Sequence, residues 1–389
     1  MHEVESARKI IEAALRPPAR ESLPLARASG RFLAAAVLAR KPVPPYACSA
    51  MDGWAVRASE AVAGKSLKAG PTLYAGDAPG LRLEEGTAVR VFTGAPIPAG
   101  ADAVVRQEAA REEPGLVSFP SAPAVGENVR RQGEDVAQGE SALEAGVRLG
   151  PRQLGLCAAL GAREVEVAAR LRVALVATGD ELVRGLVEDS NRAVLEADLS
   201  CLGCEVSAEA VGDDPAQIAR VLEAALARAD VVLTTAGVSV GEKDLVPGAL
   251  ERLGAKVLVH GVAMKPGKPF LFALAGGKPV FGLPGSPSAC LVAHEVFARP
   301  FVLGLLGART RARTVLSLPT AEALEGRPGR ARFLWARVTE EGRVKPLGQD
   351  VAQLRGPALA NALIALRADV GPVSEGTLVP VWLLEEAAP

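Results

Sequence analysis

The run Val173-Ala-Leu-Val-Ala177, followed directly by Thr178-Gly-Asp-Glu181, decides the fold class. Continuous apolar runs of this length are typical of strands that are buried on both faces of a parallel sheet. Two further runs of this kind follow, Asp230-Val-Val-Leu-Thr234 and Lys256-Val-Leu-Val259. Because helical segments separate the three runs, the pattern is βαβ, and it predicts a doubly wound α/β domain over residues 171–307.

The clearest of these helices is predicted over residues 215–229, where apolar side chains recur at helical spacing along one stripe. Asp214 stands at the N-cap position, Pro215 at the first helical position and Gln217 at the third, as in a capping box. We therefore expect this helix to begin at Pro215.

The flanking regions follow other patterns. Residues 4–15 predict one helix and residues 24–39 a second, whereas short β-type runs separated by Gly and Pro begin near residue 41 and return after Pro319. The fold class is therefore multidomain α/β. The predicted parts are a helical, elongated linking domain (1–40 and 130–170), a small β domain (41–129), the α/β domain (171–307) and a C-terminal β domain (308–389).

Composition and charge exclude several classes of function. Among 389 residues, 44 Lys and Arg offset 45 Asp and Glu, so the charge pattern does not favour a nucleic-acid partner. The acidic N-terminus is unlike a signal peptide, and charged residues and a proline interrupt the longest apolar stretch, 290–307, so we expect no membrane partner. Five cysteines, few and odd in number, suit a reducing cytoplasm.

Glycines and small polar residues follow the strand-like runs, where ligands of open α/β sheets bind. The three turns are Thr178-Gly-Asp-Glu181, Ala236-Gly-Val-Ser-Val-Gly-Glu-Lys-Asp244 and Gly282-Leu-Pro-Gly-Ser-Pro287. Each opens a helix, and helix N-termini favour phosphate or another oxyanion. The alternative is that such turns only make the connections and that their acids cap helices.

Two lysines stand in the Pro- and Gly-stiffened segment Met264-Lys-Pro-Gly-Lys-Pro269. Lys265 and Lys268 carry the charge that complements a dianion. The alternative is a pair of solvated surface lysines.

Loop carboxylates form a further candidate set, namely Asp52, Asp135, Glu181, Asp213 and Asp244. Their oxygens suit a hard cation, with Mg²⁺ the leading choice, although a loop acid is more often solvated or capping. Cys201-Leu-Gly-Cys204 lacks a companion Cys or His pair, and Gly203 fits a helix C-cap, so zinc and redox chemistry are not favoured.

Taken in order, these motifs resemble the molybdopterin molybdenumtransferase family, which includes bacterial enzymes and the C-terminal E domain of gephyrin. The likeness covers nearly the whole chain. It is carried by Ser49-Ala-Met-Asp-Gly-Trp-Ala-Val56, Thr93-Gly-Ala-Pro96, residues 126–136, Thr178-Gly-Asp-Glu-Leu182, Asp189-Ser-Asn191, Gly237-Val-Ser-Val-Gly-Glu242, Lys265-Pro-Gly-Lys-Pro269 and Gly282-Leu-Pro-Gly285.

The resemblance implies a central domain similar to molybdopterin-binding folds and the last step of molybdenum cofactor synthesis. Adenylylated molybdopterin and molybdate enter, the phosphoanhydride is cleaved with Mg²⁺, and molybdenum cofactor and AMP leave. By motif position, the implied catalytic residues are Asp52, Thr93, Asp135, Glu181, Asp213, Asp244 and Lys265. We expect Glu181, Asp213 and Asp244 to hold the metal.

The expected substrate-binding residues are Thr178, Gly179, Asp189, Gly237, Ser239, Gly241, Lys268, Gly285 and Ser286. Among them, Asp189, Ser239 and Lys268 are included on the physical argument alone. The resemblance also implies a homodimer whose site is built from two subunits, with a molybdopterin adenylyltransferase and apo-molybdoenzymes as further partners.

The sequence departs from the family pattern at several positions. Thr235-Ala-Gly237 replaces Ser-Gly-Gly, Ser286 replaces Asn, a family lysine is Gly261, and the C-terminal serine-containing stretch reads Arg355-Gly-Pro-Ala-Leu-Ala-Asn361. Arg332 or Arg337 is a candidate to replace the missing cation. Two alternatives stay open: a non-catalytic molybdopterin-binding or scaffold paralogue, and a molybdopterin adenylyltransferase.

Overall fold

The computed structural model describes residues 1–239, 241, 244–326, 328–348 and 354–384. Its α-helices are α1 (Val4–Glu12), α2 (Pro151–Ala159), α3 (Asp180–Val183), α4 (Ser190–Cys201), α5 (Pro215–Arg228), α6 (Val246–Arg252), α7 (Pro287–Ala293), α8 (Arg299–Leu305) and α9 (Arg355–Leu359). Its first twelve strands are β1 (Arg20–Pro24), β2 (Val37–Leu38), β3 (Cys48–Ser49), β4 (Gly53–Val56), β5 (Ser66–Leu73), β6 (Thr87–Val91), β7 (Ala103–Arg106), β8 (Arg111–Glu113), β9 (Leu116–Ser118), β10 (Val129–Arg130), β11 (Ser141–Leu143) and β12 (Glu164–Ala168). The other strands are β13 (Arg172–Thr178), β14 (Glu205–Val211), β15 (Val231–Thr235), β16 (Lys256–His260), β17 (Met264–Lys265), β18 (Leu271–Ala275), β19 (Lys278–Leu283), β20 (Val315–Pro319), β21 (Ala331–Val338), β22 (Val344–Pro346), β23 (Ala362–Leu366) and β24 (Leu378–Leu383).

The central sheet has the order β14-β13-β15-β19-β18-β16. β13 runs parallel to both β14 and β15, and β15 runs parallel to β19, which confirms the parallel sheet predicted from the first two apolar runs. The third run, 256–259, is a strand, but its placement in a parallel sheet is wrong. It is β16, an edge strand antiparallel to β18, and Val257 on it is 40% exposed.

Helices cover both faces of this sheet, as a doubly wound fold requires. On one face α5 and α6 pack against β13 and β15 through Ile218, Leu222 and Leu250. On the other face lie α4, α7, α8 and α1. The predicted start of α5 is confirmed, since the Asp214 side chain accepts hydrogen bonds of 2.8 Å from the second and third backbone amides of the helix.

The helical segment Pro287–Leu305 joins α7 and α8 through one π-helical turn, His294–Ala298. It is long and apolar enough to span a membrane, but 78% of it is buried inside the protein. Phe297 and Phe301 lie in an aromatic cluster with side chains of β18 and β19. This segment is therefore a core helix of the fold.

The N-terminal part differs from the sequence prediction in one element. The first predicted helix is confirmed as α1, but the second, over residues 24–39, is wrong. Residues 20–24 form β1, which pairs antiparallel with β12, and only a short 3₁₀ helix, Leu25–Arg27, follows. A partner strand some 140 residues away satisfies this backbone, which local spacing does not reveal.

Two further six-stranded sheets flank the centre. The N-terminal sheet has the order β7-β4-β6-β5-β9-β8. The C-terminal sheet has the order β17-β21-β23-β24-β20, with β22 on β21. β17 comes from the chain that leaves the central sheet, so it joins the two sheets directly.

Candidate active site

Four loops meet at the carboxyl edge of the central sheet. Thr178 to Glu181 follow β13, Asp213 follows β14, residues 236–244 follow β15, and Gly285 and Ser286 follow β19. These four strands are neighbours in the sheet, so their carboxyl ends lie side by side. This edge is where ligands of open α/β sheets bind.

Short contacts fix these loops against one another. The Thr178 hydroxyl donates to the Thr235 carbonyl at 3.3 Å, and a Cβ added to Gly237 would lie 2.8 Å from Thr178 Oγ1. The Asn191 amide donates to the Gly285 carbonyl at 2.7 Å. Glycine is therefore needed at position 237 both for this close approach and because its φ is +64°.

Two buried side-chain oxygens at this edge have no hydrogen-bond partner in the described part of the chain. Asp189 caps α4 through Oδ1, which accepts from the Arg192 amide at 2.9 Å, but its Oδ2 is unpaired. Asn191 Oδ1 is unpaired as well. Buried acceptors are costly to leave unsatisfied, so they point to a ligand that donates hydrogen bonds.

Asn191 was missed as a site residue, although the motif Asp189-Ser-Asn191 carried the signal. Its amide bond to Gly285 joins the start of α4 to the turn after β19. Ser286, at the N-cap position of α7, makes no capping bond with its side chain. Its exposed hydroxyl is therefore available to a ligand.

The Asp244 side chain hydrogen-bonds to the backbone of the loop in which it lies. Its two carboxylate oxygens accept from the Ser239 and Gly241 amides, each at 2.7 Å. This is the structural role expected of a loop acid, and it shapes the turn that carries the predicted substrate-binding residues. Val240, Glu242 and Lys243 of the same motif lie outside the described residues.

The predicted metal ligands lie at adjacent strand ends. Glu181 is exposed after Gly179, and the Asp213 amide donates to Asp180 Oδ1 at 3.0 Å. In the described residues, no three His, Cys, Asp or Glu side chains form a group that could hold a metal ion. The donor chemistry still fits Mg²⁺, which proteins usually hold through one or two carboxylates together with phosphate oxygens and water.

The N-terminal sheet brings Asp52 and Thr93 together. Asp52 Oδ1 accepts from both the amide and the hydroxyl of Thr93, each at 2.8 Å. These bonds hold the pKa of Asp52 below its ordinary value, so its carboxylate is ionised at neutral pH.

The fold does not place Asp135 beside Asp52 and Thr93. β3 and β10 pair antiparallel, so Asp52, which follows β3, and Asp135, which follows β10, leave the ladder in opposite directions. The Asp135 amide instead donates to the Val43 carbonyl at 3.0 Å. One chain therefore does not gather the five carboxylates at one point.

Lys265 lies in a basic cavity of about 440 Å³, where the chain of the central sheet joins the C-terminal sheet. Lys265 stands opposite Arg332 in the β17–β21 pairing, and Arg330 also lines the cavity, together with Glu325. Arg332, only 4% exposed, is thus the cation placed beside Lys265. Arg337 is exposed and pairs with Lys345 in β22, away from this cavity.

Cys201 and Cys204 flank the C-terminal end of α4. Cys201 ends α4, and Gly203 beyond it has φ +88°, as a helix C-cap glycine does. Burial raises the pKa of the Cys204 thiol to about 12, which disfavours the thiolate that either chemistry needs.

Comparisons with known proteins agree with this architecture along the chain. Three family models match: the MoeA N-terminal region (domain I and II) over residues 2–161, a probable molybdopterin binding domain over 174–304, and the MoeA C-terminal region (domain IV) over 317–384. The fold and its site thus define a multidomain enzyme arranged around a domain of the molybdopterin-binding class.

Comparison with individual relatives shows which family within this class the chain belongs to. The chain is 38% identical to a molybdopterin molybdenumtransferase of Synechococcus elongatus, covering 86% of this chain and 87% of the relative. It is 34% identical to molybdopterin molybdenumtransferase 2 of Mycobacterium tuberculosis over 98% and 99% of the two chains. The solved molybdopterin biosynthesis moeA protein of Pyrococcus horikoshii is 25% identical, with a TM-score of 0.86 over 98% of this chain and 100% of that one. The chain belongs to the molybdopterin molybdenumtransferase family.

Proposed function

We propose that the protein inserts molybdenum from molybdate into adenylylated molybdopterin in a Mg²⁺-dependent reaction that releases AMP and molybdenum cofactor. The observation that carries this proposal is the pair of buried, unpaired oxygens of Asp189 and Asn191 where the loops meet. Such acceptors suit the amino and amide donors of a pterin ring. Family membership favours this function over a scaffold paralogue or an adenylyltransferase.

Molybdate is proposed to bind in the basic cavity. Lys265, Arg330 and Arg332 supply three cationic side chains around about 440 Å³, which suits a tetrahedral dianion. Lys268, exposed three residues after Lys265, is proposed to approach the same anion. In this arrangement Arg332 supplies the positive charge of the family lysine, whose position is occupied by Gly261 in this chain.

Glu181, Asp213 and Asp244 are proposed to hold Mg²⁺, which would neutralise charge on the pyrophosphate of the substrate. Both oxygens of Asp244 already accept amide bonds, so Asp244 has fewer lone pairs left for the ion. Catalysis then rests on positioning and charge, because none of the proposed site residues is needed as a covalent nucleophile.

A homodimer is proposed to complete the site. Asp52 and Thr93 lie on the N-terminal sheet, and Asp135 leaves the β3–β10 ladder on the other side, so a second subunit is the natural way to bring such groups to the α/β loops. The proposed setting is the cytoplasm, with a molybdopterin adenylyltransferase supplying the substrate and apo-molybdoenzymes accepting the cofactor.

The test measures AMP release from adenylylated molybdopterin with Mg²⁺, with and without molybdate, followed by reconstitution of an apo-molybdoenzyme. We expect molybdate-dependent release and reconstitution, both lost in Lys265→Ala. Lys256→Ala, on the exposed edge strand β16, is the matched control and should behave as wild type. Tight substrate binding without release would support the scaffold alternative, and ATP-dependent adenylylation of molybdopterin would support the adenylyltransferase.

A further inference from the structure

The N-terminal sheet gathers an exposed aromatic side chain beside the Asp52–Thr93 pair. β5 and β6 run parallel and end in register, so Tyr74 and Phe92, which directly follow them, emerge at the same edge. β4 pairs antiparallel with β6, so Asp52, which directly precedes β4, lies at that edge too. Thr93 is the next residue after Phe92.

Flat groups stack in a column at this edge. The rings of Tyr74 and Phe92 are nearly parallel, at 9°, with their centroids 5.0 Å apart. Beneath them the guanidinium carbon of Arg90 lies 5.7 Å from the centroid of Phe92 and 5.4 Å from that of Trp54. The column therefore runs from the buried Trp54 outward to Tyr74.

The lower part of the column is held by its own hydrogen bonds. Arg90 donates to Gln107 Oε1 at 2.7 Å and also to Glu112, which accepts from the Trp54 indole at 3.1 Å. Arg90 is thus occupied as a structural support for the rings above it.

The outer part of the column is open. Tyr74 is 55% exposed, and because Phe92 covers one face of its ring, the exposed surface includes the other face. Its backbone is fixed by Asp77, whose Oδ2 accepts from the Tyr74 amide at 2.7 Å and whose amide donates to the Tyr74 carbonyl at 3.1 Å. A ring held this way loses little conformational entropy when a second ring stacks on it.

A hydrogen-bond acceptor stands at the same edge. Oδ1 of Asp52 takes both bonds from Thr93, while its Oδ2 has no hydrogen-bond partner among the residues that the structure describes. An ionised carboxylate with a free oxygen accepts strongly from an N–H donor.

We propose that the open face of Tyr74 is the stacking surface for a planar nitrogen heterocycle of the substrate, and that Asp52 Oδ2, on the other side of Phe92, accepts from a donor elsewhere on the same substrate. This inference rests on the proposed function. The proposed substrate carries two rings of this chemistry. Because the pterin is assigned to Asp189 and Asn191, the purine of the adenylyl half is the expected occupant, and the experiment distinguishes it from the pterin.

The experiment measures KM and kcat for adenylylated molybdopterin in Tyr74→Ala and Tyr74→Phe. Loss of one stacked ring weakens binding roughly 5- to 150-fold, so Tyr74→Ala should raise KM by that factor with kcat nearly unchanged. Tyr74→Phe keeps the ring and should retain the wild-type KM. Leu116→Ala, at an exposed position on β9 of the same sheet, is the matched control and should change neither constant.

A second variant, Tyr74→Trp, reports on binding directly. Its indole fluorescence should be quenched by AMP if the ring is the purine, or by pterin-6-carboxylate if it is the pterin. Wild-type KM in Tyr74→Ala, or no quenching by either probe, would overturn the inference while AMP release by the wild-type enzyme continues. Absence of molybdate-dependent AMP release in the wild type would instead overturn the proposed function.

Discussion

At the scale of single residues, Ala236 stands out because it is a non-glycine residue with φ +67°. An L-residue in this region costs about 1–2 kcal/mol relative to glycine, and a Cβ added to Gly285 would lie only 2.9 Å from Ala236 Cβ. We expect Ala236→Gly to raise the free energy of unfolding of the α/β domain by about 1 kcal/mol, measured by thermal unfolding.

The matched control for this change is Ala224→Gly, at an exposed position inside α5. There a glycine should lower stability by about 1 kcal/mol. Equal effects at both positions would show that Ala236 is not strained.

Gly261 occupies the position of a family lysine. The position has φ +81°, so Gly261→Lys, which restores the family lysine, should lower the free energy of unfolding by about 1–2 kcal/mol. Because Arg332 is already beside Lys265, we expect no lower KM for molybdate in the AMP-release assay. A tighter KM would show that the missing lysine had not been replaced.

At the scale of elements, Asp198 ties α4 to the π-helical turn that follows α7. His294 Nε2 lies 2.8 Å from Asp198 Oδ2, and Arg299 Nε lies 3.4 Å from Oδ1. Burial raises the pKa of Asp198, but the hydrogen bond from His294 and the positive charges outweigh it and lower this pKa to about 2. The carboxylate is therefore a stabilising contact between two helical segments.

The sign of its pH dependence follows from the lowered pKa. The stabilisation is fully present above the ordinary value of 3.8 and is lost as the pH falls to about 2. A shift of this size corresponds to about 2 kcal/mol. Thermal unfolding between pH 5 and pH 2.5 should show this loss in the wild type and not in Asp198→Asn.

At neutral pH, Asp198→Asn should lower the free energy of unfolding by about 3 kcal/mol, because it removes the charge partner of buried groups. Asp369→Asn, which breaks an exposed pair with Arg367, is the matched control and should leave stability unchanged. Equal effects of the two variants would contradict the role given to Asp198.

At the scale of the whole molecule, a site shared between two subunits predicts complementation. Asp52→Asn and Lys265→Ala should each be inactive alone. After unfolding and refolding as an equal mixture, half of the dimers are mixed, and each mixed dimer keeps one intact site, so about a quarter of wild-type activity should return. No recovery, or a monomer in sedimentation at micromolar concentration, would show that each site lies within one chain.

Local patterns predicted the parts of the fold whose partners are near in sequence. The runs of β13 and β15 are buried on both faces, and α5 carries its own cap at Asp214, so both were readable from the sequence. The helix over residues 24–39 failed because β1 depends on β12, far along the chain.

The same holds for the candidate site: features set by local motifs were predicted, and contacts between distant segments were not. The loops after the strands were found from their glycines and acids. The place of Arg332 beside Lys265 depends on a parallel pairing of residues 67 positions apart, which no spacing reveals. The separation of Asp52 from Asp135 likewise follows from the β3–β10 register, and that register was not readable from either motif.

β17 has a mechanical consequence. This two-residue strand is covalently continuous with the chain of the α/β domain, yet it is hydrogen-bonded into the C-terminal sheet through β21. Any swing of the C-terminal domain would therefore carry Lys265 toward or away from the loops at the carboxyl edge of the central sheet. The angle between the C-terminal domain and the α/β domain would then set the distance between Lys265 and those loops.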